Sequence, residues 1–487
     1  MKEITFQVSR FDPETDTQPH LEEYTVEVHD GARVLHALHA VHAMDPTLAY
    51  RWCCGAGQCG SCAVKVDGTP GLACLTEAHN GMVVEPLDLP VTRDLEVDLA
   101  PYLDRFTSIA PNGSAVFPTR AEIEAIKPLR ECIECMSCVS VCPALKVSEF
   151  AGPTAMRQEL RLALDPRDSG DRVAEAVERG LFACTSCQRC RIVCPKEIQI
   201  PGKAIEKLRE IAARQGLALP RHTDLAKTVR QTGRSVDRSK PTLLEEVPEV
   251  IEPEGEVKAT VGFFVGCMYN GRLPETARDM LAVMRRNGIR VIIPHEQVCC
   301  GSPLIRSGQT EIVDHLKRLN IEAFRSRKID LVMTMCAGCG STLKNDYQTP
   351  FTVMDATEVL TKFGCEPPAH LPVTVTYHDP CHLLRGQGVS EEPRGLLKSV
   401  VEQFVETPNQ CCGSGGGVRS GRPEVAAALG DQRGEAFEAS GAEMVISCCP
   451  FCEYHISEHT DLPVKDLMTL LREGYEKKDR QRAGKKA

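Results

Sequence analysis

The sequence predicts a multidomain protein with α+β and α/β parts. Three observations carry this. The chain has 487 residues, too many for one core. Its first hundred residues mix strand-period and helix-period patterns. Its C-terminal half contains the same set of cysteines twice. Hydrophobic content of 42% and charged content of 25% are those of an ordinary globular protein. Aromatic residues are only 5% and the net charge is −10, which argues against nucleic acid as a partner. The opening MKEITFQVSR has no apolar core of a secretory signal, and no stretch approaches the ~18–20 apolar residues of a membrane span. The expectation is a cytoplasmic chain without a transmembrane segment. In such a reducing compartment, 25 cysteines are metal ligands or redox groups more readily than structural disulfides.

The first block, residues 1–100, opens with two alternating runs, Ile4–Val8 and Tyr24–Val28. Arg33–Met44 (RVLHALHAVHAM) spaces its apolar residues as a helix does, and Ala63–Gly68 reads as a strand entering a turn. The second block, 101–233, alternates cysteine clusters with helical stretches at Arg172–Arg179 and Ala204–Gln215. Residues 234–258 are rich in Pro, Glu and Val without periodicity and read as a linker. Two similar units follow, 259–370 and 371–487. Their strand-like runs Ala259–Val265 and Val373–Tyr377 precede helical segments, so each reads as α/β. The lysine-rich end from Glu476 to Ala487 reads as a solvated tail.

Cysteine spacing defines the chemistry. Cys54-x4-Cys59-x2-Cys62, with Cys74 further on, has the plant-type ferredoxin spacing for one [2Fe–2S] cluster. The intervening glycines let a tight loop turn backbone N–H groups towards sulfur. A zinc knuckle would use paired Cys-x2-Cys instead. Cys132, Cys135, Cys138 and Cys142-Pro143 form a bacterial ferredoxin run, repeated by Cys184, Cys187, Cys190 and Cys194-Pro195. The fourth cysteine of such a run ligates the other cluster. The expected sets for two cubane [4Fe–4S] clusters are therefore Cys132, Cys135, Cys138 and Cys194, and Cys184, Cys187, Cys190 and Cys142.

In the duplicated units, Cys267, Cys299, Cys300, Cys336 and Cys339 recur as Cys381, Cys411, Cys412, Cys449 and Cys452. Five thiols with an adjacent pair exceed the four that one tetrahedral metal needs. The pair can grip different irons of an extended cluster, or each unit holds one ordinary cluster and a spare thiol. Cys53, Cys365 and Cys448 receive no role.

These motifs resemble two families joined end to end. The first 230 residues, with Cys53-Cys54-Gly55-Ala56-Gly57-Gln58-Cys59-Gly60-Ser61-Cys62-Ala63, are similar to the iron–sulfur subunit of succinate dehydrogenase and fumarate reductase. That family has a β-grasp [2Fe–2S] domain followed by an α-helical ferredoxin domain. Its second helical run usually lacks one cysteine. Cys187 supplies it here, as in the C subunit of heterodisulfide reductase. Residues 259 to about 475 resemble the catalytic B subunit of heterodisulfide reductase, whose two cysteine-rich CCG domains each hold a non-cubane [4Fe–4S] cluster. The fusion resembles the B subunits of the thiol:fumarate reductases of methanogenic archaea.

The resemblance implies that coenzyme M and coenzyme B thiols are oxidised to a heterodisulfide at the ten CCG cysteines. The electrons then reduce fumarate to succinate on a flavoprotein partner. That partner carries the FAD, since no Gly-x-Gly-x-x-Gly follows a strand here and Gly413–Gly417 misses the dinucleotide spacing. The two thiols are anionic in the resembling system, with sulfonate and phosphate groups. Arg272, Arg306, His382, Arg385 and Arg419 lie near cluster cysteines in sequence and are the candidate residues for binding them. A quinone-linked succinate dehydrogenase or fumarate reductase subunit, or one of another CCG-domain respiratory dehydrogenase, is the alternative reading. The former shares the N-terminal domains, but two complete CCG sets count against it.

Overall fold

A computed structural model describes residues 1–113, 115–237 and 241–484. Part of the expected linker, 238–240, and the last three residues of the lysine-rich end lie outside the described residues. The chain divides into two compact units. One is Met1–Leu181 with Arg189–Leu208, the other Phe182–Gln188 with Arg209–Ala487.

The first unit begins with a mixed five-stranded sheet in the order His20–Val28, Lys2–Arg10, Val83–Glu85, Ala63–Val66, Thr69–Leu72. Alternation in the first strand buries Ile4, Phe6 and Val8 against Tyr24, Val26 and Val28 of its antiparallel neighbour. The helix Val34–Met44 lays Val34, Leu35, Leu38 and Val41 into the same core, giving the β-grasp arrangement. Asp67 and Gly68, both left-handed, close the hairpin Ala63–Leu72. Beyond a two-stranded ribbon of Val91–Arg93 with Glu96–Val97, the rest of this unit is helical. Thr119 and Glu122 cap Arg120–Arg130 reciprocally, and Pro153–Ala163 buries nine of its eleven residues. The stretch expected as one helix from Ala204 begins instead as a π turn, Ile200–Ile205, and continues as Glu206–Arg214.

The second unit contains two parallel sheets. The first runs Thr352–Asp355, Leu331–Thr334, Ala259–Phe264, Ile289–Ile292, with Val250–Ile251 added antiparallel at one edge. The second runs Val401–Val405, Leu371–His378, Met444–Ser447, Val464–Lys465. Central strands are covered on both faces, so Val261, Phe263 and Phe264 are all buried in succession, as are Val445 and Ile446. One apolar core runs through both sheets.

Two segments are more ordered than their composition suggests. Residues 242–251 form a short helix, capped by Thr242 and Glu245, and then the two-residue edge strand. That strand is too short to show alternation. Glu476–Gly484 continues the helix Leu467–Gly484, held where Lys478 reaches Glu366 (2.8 Å) and Arg286 bridges Glu366 (2.8 Å) and Asp479 (2.6 Å).

Candidate metal centres

None of the 25 cysteines forms a disulfide, and 22 of them stand in the expected sets. In the β-grasp domain the loop Cys54–Cys62 wraps back on Cys74, which follows the hairpin. Backbone N–H groups of Ala56 (3.4 Å) and Gln58 (3.3 Å) donate to Cys54 Sγ, and that of Gly57 (3.3 Å) donates to Cys74 Sγ. Donors aimed at sulfur favour the thiolate, and backbone donation from the Cys54 loop draws the Cys59 thiol down to about 6. Cys62 and Cys74 are buried in mutual contact. This cradle fits a [2Fe–2S] cluster.

In the first ferredoxin run, Cys135 and Cys138 are raised chiefly by burial and both sense the charges of Cys132 and Cys194. The structure thus gathers the first expected cubane set. Glu134 and Met136 take left-handed φ angles of 56° and 60°, and Ser186 and Gln188 repeat this at 52° and 64° in the second run. The paired turns show that both runs wind the same way. Of the second expected set, Cys142 and Cys190 belong to the first unit, Cys184 and Cys187 to the second.

Gly60 explains how the [2Fe–2S] loop approaches the first run. A Cβ there would stand 2.5 Å from the Ile133 carbonyl oxygen and 3.0 Å from Cys135 Cα, at a φ of +76°. Gly60→Ala is therefore expected to cost about 1–3 kcal/mol of stability by overpacking. Melting of the purified chain, followed by its visible absorption, should show the loss. An unchanged melting curve would mean that the loop shifts freely.

The duplicated units place their thiols at the C-terminal ends of parallel strands, where α/β folds build sites. Cys267 and Cys336 follow the strands ending at Phe264 and Thr334. Cys381 and Cys449 follow those ending at His378 and Ser447. Cys336 and Cys449 each cap a helix whose first turn carries Cys339 or Cys452. In both adjacent pairs the next glycine donates its N–H to the first sulfur, Gly301 to Cys299 and Gly413 to Cys411, each at 3.4 Å. Thiol–thiol contacts run from Cys267 through Cys299, Cys300 and Cys339 to Cys336. Cys336 touches Cys449 of the other set, which touches Cys452 and then Cys412. Hydrogen bonds from Cys299 and then Cys339 draw Cys300 down to about 6, despite complete burial. A chain of five touching thiols on one side, and on the other the run Cys449, Cys452, Cys412 beside the touching pair Cys381 and Cys411, fit multi-iron clusters better than one tetrahedral ion.

Both sets open on one cavity of about 740 Å³, whose walls also carry Arg272, Arg306, His382 and Arg419. Arg306 is bridged to Asp346 (2.6 Å), Arg272 lies 3.8 Å from Asp237, and Arg419 pairs with Glu458 (2.8 Å) while stacking on Tyr454. Burial holds the His382 ring down at about 4. Arg385 is turned elsewhere. Its guanidinium donates to the Cys187 carbonyl (2.7 Å), Asn409 (2.8 Å) and Cys381 Sγ (3.0 Å). It ties the second ferredoxin run to the second cysteine set. Cys411 strengthens that link, contacting both Cys187 and Thr185.

Two arginines of the site escape a reading by sequence proximity. Arg221 lines the cavity from a helix remote in sequence from every cysteine. Arg209, fully buried, donates to the carbonyls of Arg306 (2.6 Å), Gly416 (2.8 Å) and Cys184 (2.7 Å). It stitches three loops of the site, and nothing in the local sequence marks it. Gly416 packs so closely there that a Cβ would meet the Cys184 carbonyl oxygen at 2.5 Å.

A β-grasp cradle, a dicluster helical region and paired thiol-lined α/β units define an iron–sulfur electron-transfer subunit of an oxidoreductase. Family models agree: a 2Fe-2S iron-sulfur cluster binding domain matches residues 5–104, a 4Fe-4S dicluster domain 128–198, and a cysteine-rich domain 261–344 and 375–457. The chain is 42% identical to the B subunit of fumarate reductase (CoM/CoB) of Methanothermobacter marburgensis, covering 97% of this chain and 99% of that one. It is 29% identical to the D subunit of the dihydromethanophenazine:CoB–CoM heterodisulfide reductase of Methanosarcina barkeri, over 71% of this chain and 93% of that one. A hypothetical protein from Helicobacter pylori shares the fold at a TM-score of 0.62 and 13% identity, covering 99% of this chain and 96% of that one. The chain belongs to the family of fumarate reductase (CoM/CoB) B subunits. Among the described residues no helix is long and apolar enough to cross a membrane.

Proposed function

We propose that this chain is the iron–sulfur subunit of a cytoplasmic thiol:fumarate reductase. In this reading coenzyme M and coenzyme B thiols are oxidised to their heterodisulfide in the cavity. The two electrons leave for an FAD-bearing flavoprotein partner that reduces fumarate to succinate. One observation carries the proposal: both five-thiol sets wall the same 740 Å³ cavity, and they touch through Cys336 and Cys449. Two thiols that must become one disulfide need two sites this close. Cys54, Cys59, Cys62 and Cys74 would hold a [2Fe–2S] cluster. Cys132, Cys135, Cys138 and Cys194, with Cys184, Cys187, Cys190 and Cys142, would hold two cubanes, and the CCG sets two non-cubane [4Fe–4S] clusters. When bound, the clusters supply iron for substrate sulfur and a chain of one-electron carriers from the cavity to the β-grasp loop.

The chain's own residues do the rest. Arg221, Arg272 and Arg419 on the cavity wall offer guanidinium forks for the sulfonate and phosphate ends of the two thiols. The buried walls, Cys300 and Cys412 among them, exclude water and fix each substrate sulfur against one set.

The test uses the complex purified with its flavoprotein partner. Fumarate reduction is expected with both thiols together, not with either alone, and not with a menaquinol analogue. Iron should reach about eighteen per chain, counting four for each cubane and CCG cluster and two for the [2Fe–2S]. Turnover with the quinol and none with the thiols would move the chain to the quinone-linked reading. Iron near ten would mean empty CCG sites.

A further inference from the structure

The two cysteine sets are copies, but their surroundings are not. The last residue of the strand before Cys381 is His378, whereas the last residue before Cys267 is Phe264. The helix Pro423–Glu438 carries buried Arg433 one turn before buried Phe437, where Val313–Arg325 carries Asn320 one turn before Phe324. Arg385 faces Cys381 Sγ, and the residue at its offset in the first set is Gly271.

The second set therefore has a buried dyad at His378 and Arg433 where the first has Phe264 and Asn320. Arg433 is pinned by donation to the Pro408 carbonyl (2.7 Å) and Thr407 Oγ1 (3.0 Å), and it stacks on Phe437. Its Nε–H donates to His378 Nδ1 at 3.3 Å. That bond requires a lone pair on Nδ1, so the neutral ring carries its proton on Nε2. His378 is fully buried, and Nε2 has no hydrogen-bond partner among the described residues. A ring nitrogen lies within 4.8 Å of the Cys412 and Cys452 sulfurs. A buried N–H left without an acceptor costs ~1–3 kcal/mol, so a nearby acceptor is called for.

We propose that His378, held by Arg433, donates its Nε2–H to the sulfurs of the cluster at Cys381, Cys411, Cys412, Cys449 and Cys452, making that site the easier of the two to reduce. Hydrogen bonds to sulfur and positive charge nearby both stabilise the more negative, reduced state. Reversed roles, with His378 as an iron ligand, would need a lone pair on Nε2, which the Arg433 bond removes. The bias points towards Cys411, the thiol that contacts Cys187 of the second ferredoxin run. The inference rests on the reading that both sets hold clusters, and goes beyond it by ranking them.

The test is a dithionite reductive titration of the purified chain, followed by electron paramagnetic resonance, with iron measured on each sample. The feature lost in Cys412→Ala identifies the second site. His378→Phe, which copies the first site, is expected to shift that feature's reduction equilibrium at least tenfold towards the oxidised form, about 59 mV for one electron. The other CCG feature should stay in place. His378→Gln, whose amide N–H reaches where Nε2–H does, should return the midpoint to within about twofold of the wild type in equilibrium constant. An unmoved midpoint in His378→Phe at full iron overturns the proposal. So does loss of about four irons per chain from the Gln variant, which would make His378 a ligand. If only the Phe variant loses iron, the Gln midpoint decides alone. A wild-type chain with no iron at the second site would instead overturn the cluster reading on which this rests.

Discussion

Replacing Cys300 by Ala is expected to abolish heterodisulfide formation while leaving the ferredoxin-type signals of the first 230 residues in place. Cys300 is a middle link of the thiol chain, in contact with Cys299 on one side and Cys339 on the other. It is also the thiol of its set that hydrogen bonding draws down to about 6, the one most readily held as thiolate. Ser302 N–H donates to its sulfur at 3.5 Å, and Tyr347 donates to its carbonyl at 3.0 Å, so its position is fixed from two directions. Removing an outer-shell partner of a metal costs roughly 10–100-fold. On the proposed reading Cys300 is itself a ligand and a middle link of its set, so its removal should cost more, and thiol-dependent turnover should fall by at least about a hundredfold. Cys412→Ala should do the same, because the proposed oxidation of two thiols to one disulfide uses both halves of the cavity. Effects within one working unit do not add, so the double variant should be no worse than either single one. Near-normal turnover of Cys300→Ala with both thiols would place the substrate site elsewhere.

How far the sequence speaks for this site depends on the kind of contact. Ligand spacing is local, and a tight loop that presents three thiols to one cluster must write its geometry into adjacent residues. The runs at Cys54, Cys132 and Cys184 are legible for that reason. The duplication is legible too, because the same strand-end geometry was used twice and keeps its offsets. What escapes is whatever reaches the site from a distance. Arg209 and Arg221 sit on helices with no cysteine near them in sequence, and only packing brings their guanidinium groups to the loops. Proximity in sequence also misleads. Arg385 is four residues from Cys381, yet its guanidinium is engaged by the Cys187 carbonyl, Asn409 and Cys381 Sγ and does not line the cavity. The edge strand Val250–Ile251 and the helix through Glu476 were hidden differently. Two residues cannot show alternation, and a helix held by ion pairs to Glu366 needs little apolar periodicity. His378 had a signal that sequence alone offers: laying one copy over the other sets it against Phe264.

The last expected result separates the two ends of the chain. Cys59→Ser should remove the [2Fe–2S] cluster and with it thiol-dependent fumarate reduction, again by at least about a hundredfold. Thiol oxidation coupled to a dye that accepts electrons from inner clusters should survive. The reasoning is structural. Cys59 is held by backbone donation within a loop that includes exposed Cys54, so this cradle lies at the surface where a partner can approach. The same loop packs through Gly60 against Ile133 and Cys135 of the first ferredoxin run, which gives it one neighbour inside the unit. In the proposed relay, a site with one face towards a ferredoxin run and one towards solvent would be the exit. Serine keeps the size of cysteine but binds iron poorly, so the loop should retain its shape while losing its metal. Because cluster binding is also folding energy, iron must be counted in the variant before either assay is read. Two irons lost and the rest kept, with dye reduction intact, is the expected pattern. Loss of both activities at that same iron content would mean that the dye too enters through the β-grasp domain, and the order of carriers from cavity to surface would have to be redrawn.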